Sequence, residues 1–270
     1  IFEVYLFPSL RPTPQLSFTV RDLGCQAGLV ITASHNPKEY NGYKAYWADG
    51  SQVVAPHDKN IVAEVQAIQS ITEIKFEGNP DLLHWLDESI DEAYLATIQT
   101  NCRQPDVIKR QKDLKIVFSP IHGTGITLVP KALASLGFEA VHVVAEQAEP
   151  NGNFPTVIYP NPEEKEAMTL ALAKAKELDA DLVIATDPDA DRVGAAVKGP
   201  SGEWQLLNGN QMASLIIYYL LKVSPLQGNE FVAKTIVTTD LIDQMCAKKG
   251  VPCYNTLTGF KFIAQVIREL

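Results

Sequence analysis

Two short segments, far apart in the sequence, hold the side chains that could do chemistry. Ser34 and His35 stand side by side in the segment Thr-Ala-Ser-His-Asn-Pro at residues 32–37. The preceding residues 27–31 are apolar and partly β-branched, which predicts one buried strand. The Asn-Pro pair is typical of a turn, so the strand should end there and present a hydroxyl and an imidazole. Such a loop could position a nucleophile, although Ser-His alone is more often an ordinary polar turn.

The second segment is Asp-Pro-Asp-Ala-Asp-Arg at residues 187–192, which directly follows another apolar run. Alternate side chains of an extended segment lie on one side, and three carboxylates there repel one another unless a cation lies among them. Oxygen ligands without sulfur suit Mg²⁺, which usually completes its coordination with water or substrate phosphate. The segment therefore predicts a magnesium site formed by Asp187, Asp189 and Asp191.

Other interpretations of the acidic segment must be weighed. An EF-hand is rejected, because the positions that need Gly and Glu hold Arg192 and Lys198. A phosphatase of the haloacid-dehalogenase type, with Asp187 as nucleophile, stays open, although Asp191 stands where that motif has Thr. An acidic surface turn is less favoured, because three Asp residues and an Arg follow a buried strand.

A hydroxyl nucleophile together with an acidic metal site indicates phosphoryl transfer. A metal would neutralise a phosphate on Ser34, which carries a charge of about −2. The remaining requirement is positioning and one proton transfer. His35 is adjacent to the serine, and Lys44 follows a predicted Asn41-Gly42 turn on the next strand. Both are candidates for moving that proton, although an isolated Lys44 would be interpreted as a solvated strand residue.

The elements that must position these loops alternate between strands and helices. Strand-like runs occupy residues 1–7, 27–31, 43–47, 114–118, 141–145, 182–185, 231–238 and 251–255. Helical periodicity occupies residues 15–23, 56–68, 86–98, 126–136, 241–249 and 260–270. A further long helix should open at Asn161, with Pro162 and Glu164 at favoured N-terminal positions. Alternating strands and helices predict an α/β protein with mostly parallel sheets.

Residues 119–125 lie between two apolar runs. Their sequence is Ser-Pro-Ile-His-Gly-Thr-Gly, which contains two glycines. This segment could hold a phosphate at the start of the following helix. A plain strand-to-helix connection is the favoured interpretation.

Composition limits the class of protein. Of 270 residues, 46% are hydrophobic, enough for more than one core. The net charge of −9 without a basic block argues against nucleic-acid binding. Neither a bilayer-spanning stretch nor a signal peptide is visible. Four scattered cysteines without metal spacing suggest free thiols in a reducing compartment, so we predict a cytoplasmic protein.

The chain divides into three predicted units. Residues 1–105 contain the serine loop, residues 106–227 contain the acidic loop, and residues 228–270 begin a third unit. The polar stretch 101–112 marks the first boundary. The chain opens without Met in a strand-like run and closes in an uncapped helical pattern, which predicts a fragment of a longer protein.

Three motifs, in this order, resemble those of the α-D-phosphohexomutases. They are Thr-Ala-Ser-His-Asn-Pro at 32–37, Asn-Gly-Tyr-Lys at 41–44 and Asp-Pro-Asp-Ala-Asp-Arg at 187–192. The phosphoglucomutase-2/phosphopentomutase branch is the most similar, judged on residues 41–47, 154–157, 160–164 and 187–192. The resemblance implies an α/β fold of consecutive βα-rich, mixed-sheet domains, truncated at both ends, because full-length members have four domains.

The resemblance also implies an activity. The family interconverts hexose 1-phosphates and hexose 6-phosphates, here most simply those of glucose, with mannose and pentose phosphates as alternatives. A phosphoserine at Ser34 would pass its phosphate to the sugar phosphate, giving a sugar bisphosphate that acts as intermediate and activator. One Mg²⁺ would be held by the Ser34 phosphate with Asp187, Asp189 and Asp191.

Further residues take their roles from the same resemblance. Lys44 would transfer a proton, and His35 would neighbour the phosphoserine. The residues implied in substrate binding are Arg192, Thr258, Gly259 and Lys261. The fragment alone is expected to be weakly active or inactive, because the remaining domains grip the far end of the substrate. A sugar-phosphate-binding module without activity is the alternative outside the enzymes.

Overall fold

The computed structural model describes residues 2–40 and 42–270. The strands β1 to β11, in chain order, are Val4–Leu6, Ala27–Ile31, Tyr43–Trp47, Leu83–Trp85, Ile116–Ser119, Val141–Val143, Leu182–Thr186, Val193–Lys198, Trp204–Leu207, Val232–Thr235 and Cys253–Thr256. The α-helices α1 to α10 are Thr13–Asp22, His57–Ala67, Glu88–Thr100, Pro105–Arg110, Val129–Leu136, Ala145–Ala148, Thr169–Leu178, Gly209–Val223, Leu241–Lys249 and Phe260–Glu269. Short 3₁₀ turns occupy Ile71–Glu73, Pro80–Leu82 and Thr124–Thr127. None of the helices in the described ranges is both long and apolar enough to cross a membrane.

A five-stranded mixed sheet forms the centre of the fold, in the order β6-β5-β7-β8-β9. Strands β6, β5 and β7 are parallel, whereas β8 and β9 run antiparallel to their neighbours. Helix α7 covers β5 and β7, and Ala171, Ala175 and the N-cap residue Met168 are completely buried there. Ser119 pairs with Ala185 near the ends of β5 and β7, so the loops that follow these strands lie side by side.

Helix α7 begins later than the sequence indicates. Asn161 does form a turn, in which its side-chain oxygen accepts the Glu163 backbone N–H at 3.2 Å. The turn does not continue as a helix, and the Glu166 carboxylate instead accepts the Ile158 backbone N–H. The prediction of a helix from Asn161 is therefore wrong, because Thr169 is the first residue of α7. Ala171, Ala175 and the flanking leucines of α7 face the core.

The serine loop connects β2 and β3, which form an antiparallel two-stranded sheet. Helix α1 packs so closely on β2 that a Cβ added at Gly28 would meet Val20 at 2.5 Å. The other face of β2 is uncovered, since Leu29 is 57% exposed and Ile31 is 75% exposed. The predicted bounds of this strand are correct, but the prediction that it is buried is wrong.

The last segment packs around the parallel pair of β10 and β11. Its small core joins α8 and α9 through Leu221, Ile242, Cys246 and Val251. Strand β10 ends at Thr235, three residues earlier than the apolar run suggests, and α9 and α10 agree closely with their predictions. All four cysteines are free thiols. The unit boundaries proposed from sequence after residues 105 and 227 stay predictions.

Candidate active site

The serine loop is a tight, closed turn. The backbone N–H of Thr32 donates to the carbonyl of Gly42 at 3.0 Å, which joins the two ends of the loop. Inside it, the Ser34 N–H donates to Thr32 Oγ1 at 2.8 Å. Ser34 has a φ of 55°, a left-handed conformation that non-glycine residues adopt only where their surroundings enforce it. The Asn41 half of the predicted turn lies outside the described residues. The loop thus fixes the Ser34 hydroxyl in one place.

The acidic loop starts directly after β7. Asp187 Oδ1 accepts the backbone N–H groups of Asp191 and Arg192 at 3.1 and 3.0 Å, which curls the loop around this carboxylate. Asp187 is completely buried, Asp189 is 4% exposed, and Asp191 is exposed. One oxygen of each carboxylate lies within 4.8 Å of those of the other two. The three acids therefore converge on one point.

The two loops meet, although 153 residues separate them in the sequence. Ser34 Oγ lies 3.3 Å from Asp187 Oδ2 and 3.3 Å from His35 Nδ1. Burial, and secondarily the positive charge of Arg192, lower the pKa of His35 below its ordinary value of 6.5. His35 is therefore neutral at pH 7, and a ring nitrogen can exchange a proton with the serine.

Lys44 reaches the cluster from β3. Its Nζ donates to Asp189 Oδ2 and to Asp191 Oδ2, both at 2.7 Å. Burial alone would lower the pKa of Lys44, but the hydrogen bonds and charges of the two aspartates raise it. The side chain is therefore an ammonium at neutral pH, and it neutralises part of the cluster.

One ammonium is too little charge for three carboxylates. Burial, followed by the charges of Asp189 and Asp191, raises the pKa of Asp187 to about 7. Burial also opposes ionisation of Asp189, but hydrogen bonds led by that from Lys44 lower its pKa overall. The cluster therefore carries a carboxylate that is hard to ionise unless more positive charge is supplied.

The residues of the cluster fit a magnesium ion. Asp189 Oδ1 is buried and has no hydrogen-bond partner among the described residues, a costly state that a cation would relieve. The converging atoms are all carboxylate oxygens, the ligands that Mg²⁺ prefers. Asp187, Asp189 and Asp191 would hold the ion, with Ser34 Oγ close enough for its phosphate to join them.

The segment at residues 119–125 supports the acidic loop. The Thr124 N–H donates to the Pro188 carbonyl at 2.7 Å, and a Cβ at Gly123 would collide with Pro188. His122 is held behind it by Thr156 Oγ1 at 2.9 Å. This strand-to-helix connection thus fixes the acidic loop, a role the sequence does not show.

Sequence analysis also missed the role of Thr13. Its hydroxyl and its backbone N–H both bond to Asp189. The sequence shows only a rigid turn at residues 10–14, because nothing local marks a partner 176 residues away.

The residues implied in substrate binding lie in two places, with Arg192 in the acidic loop and the other three at or just before the start of α10. Arg192 is exposed beside the cluster, and Thr258 is exposed in the loop before α10. Gly259 has a φ of 130° at the start of α10. Lys261 Nζ pairs with Asp58 at 3.2 Å, and within residues 2–40 and 42–270 no hydrogen bond or ion pair joins it to the acidic cluster.

Three family descriptions match the chain in consecutive order. Residues 2–72, 92–202 and 208–270 match the phosphoglucomutase/phosphomannomutase alpha/beta/alpha domains I, II and III, respectively. Together these matches cover most of the chain.

Full-sequence relatives agree with these matches. A phosphoglucomutase of Staphylococcus haemolyticus (strain JCSC1435) is 38% identical over 272 residues, which are 99% of this chain and 49% of the relative. A phosphopentomutase of Homo sapiens is 37% identical over 281 residues, with 99% and 45% covered. The chain spans about half the length of these curated relatives.

A solved structure gives the same result. The crystal structure of a Thermus thermophilus protein, assigned as a phosphomannomutase, superposes with a TM-score of 0.81 at 27% identity. The superposition covers 99% of this chain and 56% of that protein. The α/β fold with mixed sheets and the resemblance stated from three motifs are thereby confirmed. The chain belongs to the phosphoglucomutase/phosphomannomutase family, the α-D-phosphohexomutases.

Proposed function

We propose that the protein carrying this chain is a cytoplasmic phosphohexomutase. It interconverts hexose 1-phosphate and hexose 6-phosphate, glucose foremost, through a phosphoserine at Ser34 and a sugar bisphosphate that also activates it. The observation that carries the proposal is the 3.3 Å approach of Ser34 Oγ to Asp187, at the edge of a carboxylate cluster that needs a cation. The names of the relatives support the class of reaction.

A phosphate on Ser34 would make the need for a cation acute. The phosphoester adds a charge of about −1.5 to −2 beside carboxylates that already repel one another. Asp187, Asp189, Asp191 and the Ser34 phosphate would hold Mg²⁺, which would supply positive charge to stabilise the transferring phosphoryl group. The buried floor of the site, formed by Asp187 and Asp189, keeps water from the inner side of the group.

Proton transfer falls to His35 and Lys44. The neutral His35 ring lies 3.3 Å from Ser34 Oγ and can hold its proton. Lys44 enters the reaction as an ammonium, because its two aspartate partners raise its pKa. We therefore assign Lys44 the proton-donating role and expect it to become a base only after contact with the aspartates weakens.

The substrate would be gripped by residues at both sides of the site. Arg192 lies next to the cluster, and Thr258, Gly259 and Lys261 belong to the last segment. Lys261 is paired with Asp58, so an anionic sugar phosphate would have to compete for its charge. Relatives named for glucose and pentose phosphates make the sugar itself the open part of the proposal.

A substrate panel with phosphopeptide mapping tests the proposal. In the first experiment, the full-length protein is assayed with glucose, mannose and ribose 1-phosphates. In the second, it is incubated with a sugar bisphosphate that carries radioactive phosphate, and the labelled residue is identified by phosphopeptide mapping. We expect label on Ser34, turnover fastest with the glucose ester, and loss of turnover in Ser34→Ala. Label on Asp187 would instead identify an aspartate-nucleophile phosphatase. Binding of sugar phosphates without turnover or label would identify a binding module.

A further inference from the structure

Thr13 joins the first helix to the acidic loop by two hydrogen bonds. It is the first residue of α1 and is 4% exposed. Its backbone N–H donates to the Asp189 carbonyl at 2.8 Å, and its hydroxyl donates to Asp189 Oδ2 at 3.1 Å. Thr13, at the start of α1, therefore holds both the backbone and the carboxylate of Asp189.

The two carboxylate oxygens of Asp189 have different surroundings. Oδ2 accepts hydrogen bonds from Thr13 Oγ1 and from Lys44 Nζ. Oδ1 is buried and accepts none from the described residues. A carboxylate with both donors on one oxygen cannot rotate freely, so its other oxygen keeps a fixed direction. That second oxygen belongs to one of the three converging carboxylates.

Thr13 is itself held firmly in place. Arg11, two residues before it, donates to the Asp91 carboxylate through Nε at 2.9 Å and Nη2 at 2.8 Å. Gln15, two residues after it, donates to the same carboxylate at 2.6 Å. Asp91 lies on α3 and thus anchors the chain on both sides of Thr13. The threonine is a fixed support rather than a mobile surface group.

We propose that Thr13 is a positioning residue for the metal ligand Asp189, with its hydroxyl bonded to Oδ2 so that Oδ1 stays directed at the cation. The inference rests on the proposed function, because it assumes that the three aspartates hold Mg²⁺. Thr13 is assigned no place among the ligands of the metal or the substrate, and its bonds go to Asp189. It acts by removing the freedom of Asp189 to turn away, so its loss should appear first in metal affinity.

Replacement of the hydroxyl tests this. In the protein carrying this chain, phosphorylated on Ser34, Mg²⁺ affinity is measured by calorimetry for wild type, Thr13→Val and Thr13→Ser. Loss of one hydrogen bond to a charged group should weaken Mg²⁺ binding roughly fivefold to twentyfold in Thr13→Val. Thr13→Ser keeps the hydroxyl and should stay within about twofold of wild type.

Thr19→Val provides the matched control on the same helix. Thr19 is also 4% exposed, and its hydroxyl donates to the Gln15 carbonyl at 2.8 Å, away from Asp189. Thr19→Val should lower the melting temperature about as much as Thr13→Val does, but it should leave the affinity for Mg²⁺ unchanged. If Thr13→Val does not fold, Thr13→Ala takes its place.

Each outcome decides a different question. Unchanged affinity in Thr13→Val, with Mg²⁺ binding in wild type, overturns the role of Thr13 and leaves the proposed function standing. Equal losses in Thr13→Val and Thr19→Val also overturn it, because a destabilised helix would then explain both. Absence of Mg²⁺ binding in phosphorylated wild type overturns the metal site itself and the inference with it.

Discussion

At the scale of single residues, the site is defined by an imbalance of charge. Lys44 is the cation in contact with Asp189 and Asp191, while Asp187 lies buried without an ammonium of its own. The burial that places Asp187 under Ser34 therefore also makes its charge expensive. A divalent ion would resolve this conflict, which leads to a direct prediction.

Mg²⁺ should raise the melting temperature of the protein phosphorylated on Ser34. Ligand at about 100 times its dissociation constant stabilises the folded state by about 2.7 kcal/mol. The shift should disappear on addition of a chelator, and Asp189→Asn should reduce it strongly because one charged ligand is lost. Differential scanning calorimetry measures all three. A shift of equal size in Asp189→Asn would contradict the assignment of this residue as a ligand.

At the scale of elements, one ion pair ties the segment that leads into α1 to helix α3. Arg11 and Asp91 have side-chain exposures of 13% and 6%, and their atoms lie 2.8 Å apart. Asp91→Asn leaves the guanidinium without its counter-charge and should lower the free energy of unfolding by about 2–4 kcal/mol. Denaturant unfolding measures the loss. Asp106→Asn, whose partner Lys109 is mostly exposed, should cost almost nothing.

The same pair should affect stability in acid. Burial alone would raise the pKa of Asp91, but the hydrogen bonds from Arg11 and Gln15 lower it below the ordinary 3.8. A depressed carboxyl pKa stabilises the folded protein above its unfolded-state value and stops doing so as pH falls through the folded-state value. The stability difference between wild type and Asp91→Asn should thus be constant above about pH 5 and shrink below about pH 4. A difference that stays as large well below about pH 4 as it is above about pH 5 would contradict this.

Contact between two neighbouring loops sets the position of the acidic loop. Gly123 faces Pro188 so closely that a Cβ has no room, and Gly123→Ala should displace the loop and cost about 1–3 kcal/mol. Mg²⁺ affinity should fall as well, because Pro188 lies between Asp187 and Asp189, two of the proposed ligands. Gly152→Ala is the control, since a Cβ there meets nothing within 4 Å. Thermal unfolding and calorimetry of both variants make the comparison, and equal behaviour would refute it.

The residues of the candidate site that sequence analysis pointed to, and that the structure brings together, are those whose chemistry is local. Ser34 and the three aspartates were predicted because hydroxyl, carboxylates and turn residues are adjacent in the chain. Thr13 was missed because its role arises from a contact between distant segments. The start of α7 was also misplaced because of a contact that the local sequence does not show. Asn161 does accept a hydrogen bond from the Glu163 backbone, but the Glu166 carboxylate bonds to the backbone of Ile158 and the helix does not continue there. The exposure of β2 could not be foreseen, because burial depends on neighbours and not on the apolar run itself.

At the scale of the whole molecule, two ion pairs connect helix α10, near the end of the chain, with residues 49–58. Lys261 pairs with Asp58 at 3.2 Å, and Arg268 pairs with Asp49 at 3.3 Å. If Lys261 contacts the substrate, Asp58 competes with the sugar phosphate for the same charge. Asp58→Asn should therefore lower KM in the full-length protein, with little change in melting temperature because both groups are partly exposed.

Asp49→Asn is the matched control for that competition. It releases Arg268, which has no assigned substrate role, and should leave KM unchanged. Steady-state kinetics on the preferred sugar phosphate compares the two variants. An equal effect of both substitutions would mean that the ion pairs act on the arrangement of the segments and not on the availability of Lys261.

The serine and the carboxylates come from opposite sides of the polar stretch at residues 101–112, yet they meet at 3.3 Å. A protease cut in that stretch would leave the nucleophile and its counter-ion site on separate polypeptides. The affinity of the mixed halves for divalent metal would then report how well they reassemble. Metal affinity of the Ser34–aspartate cluster would therefore measure how well the two halves of the chain associate, and the measurement needs no substrate.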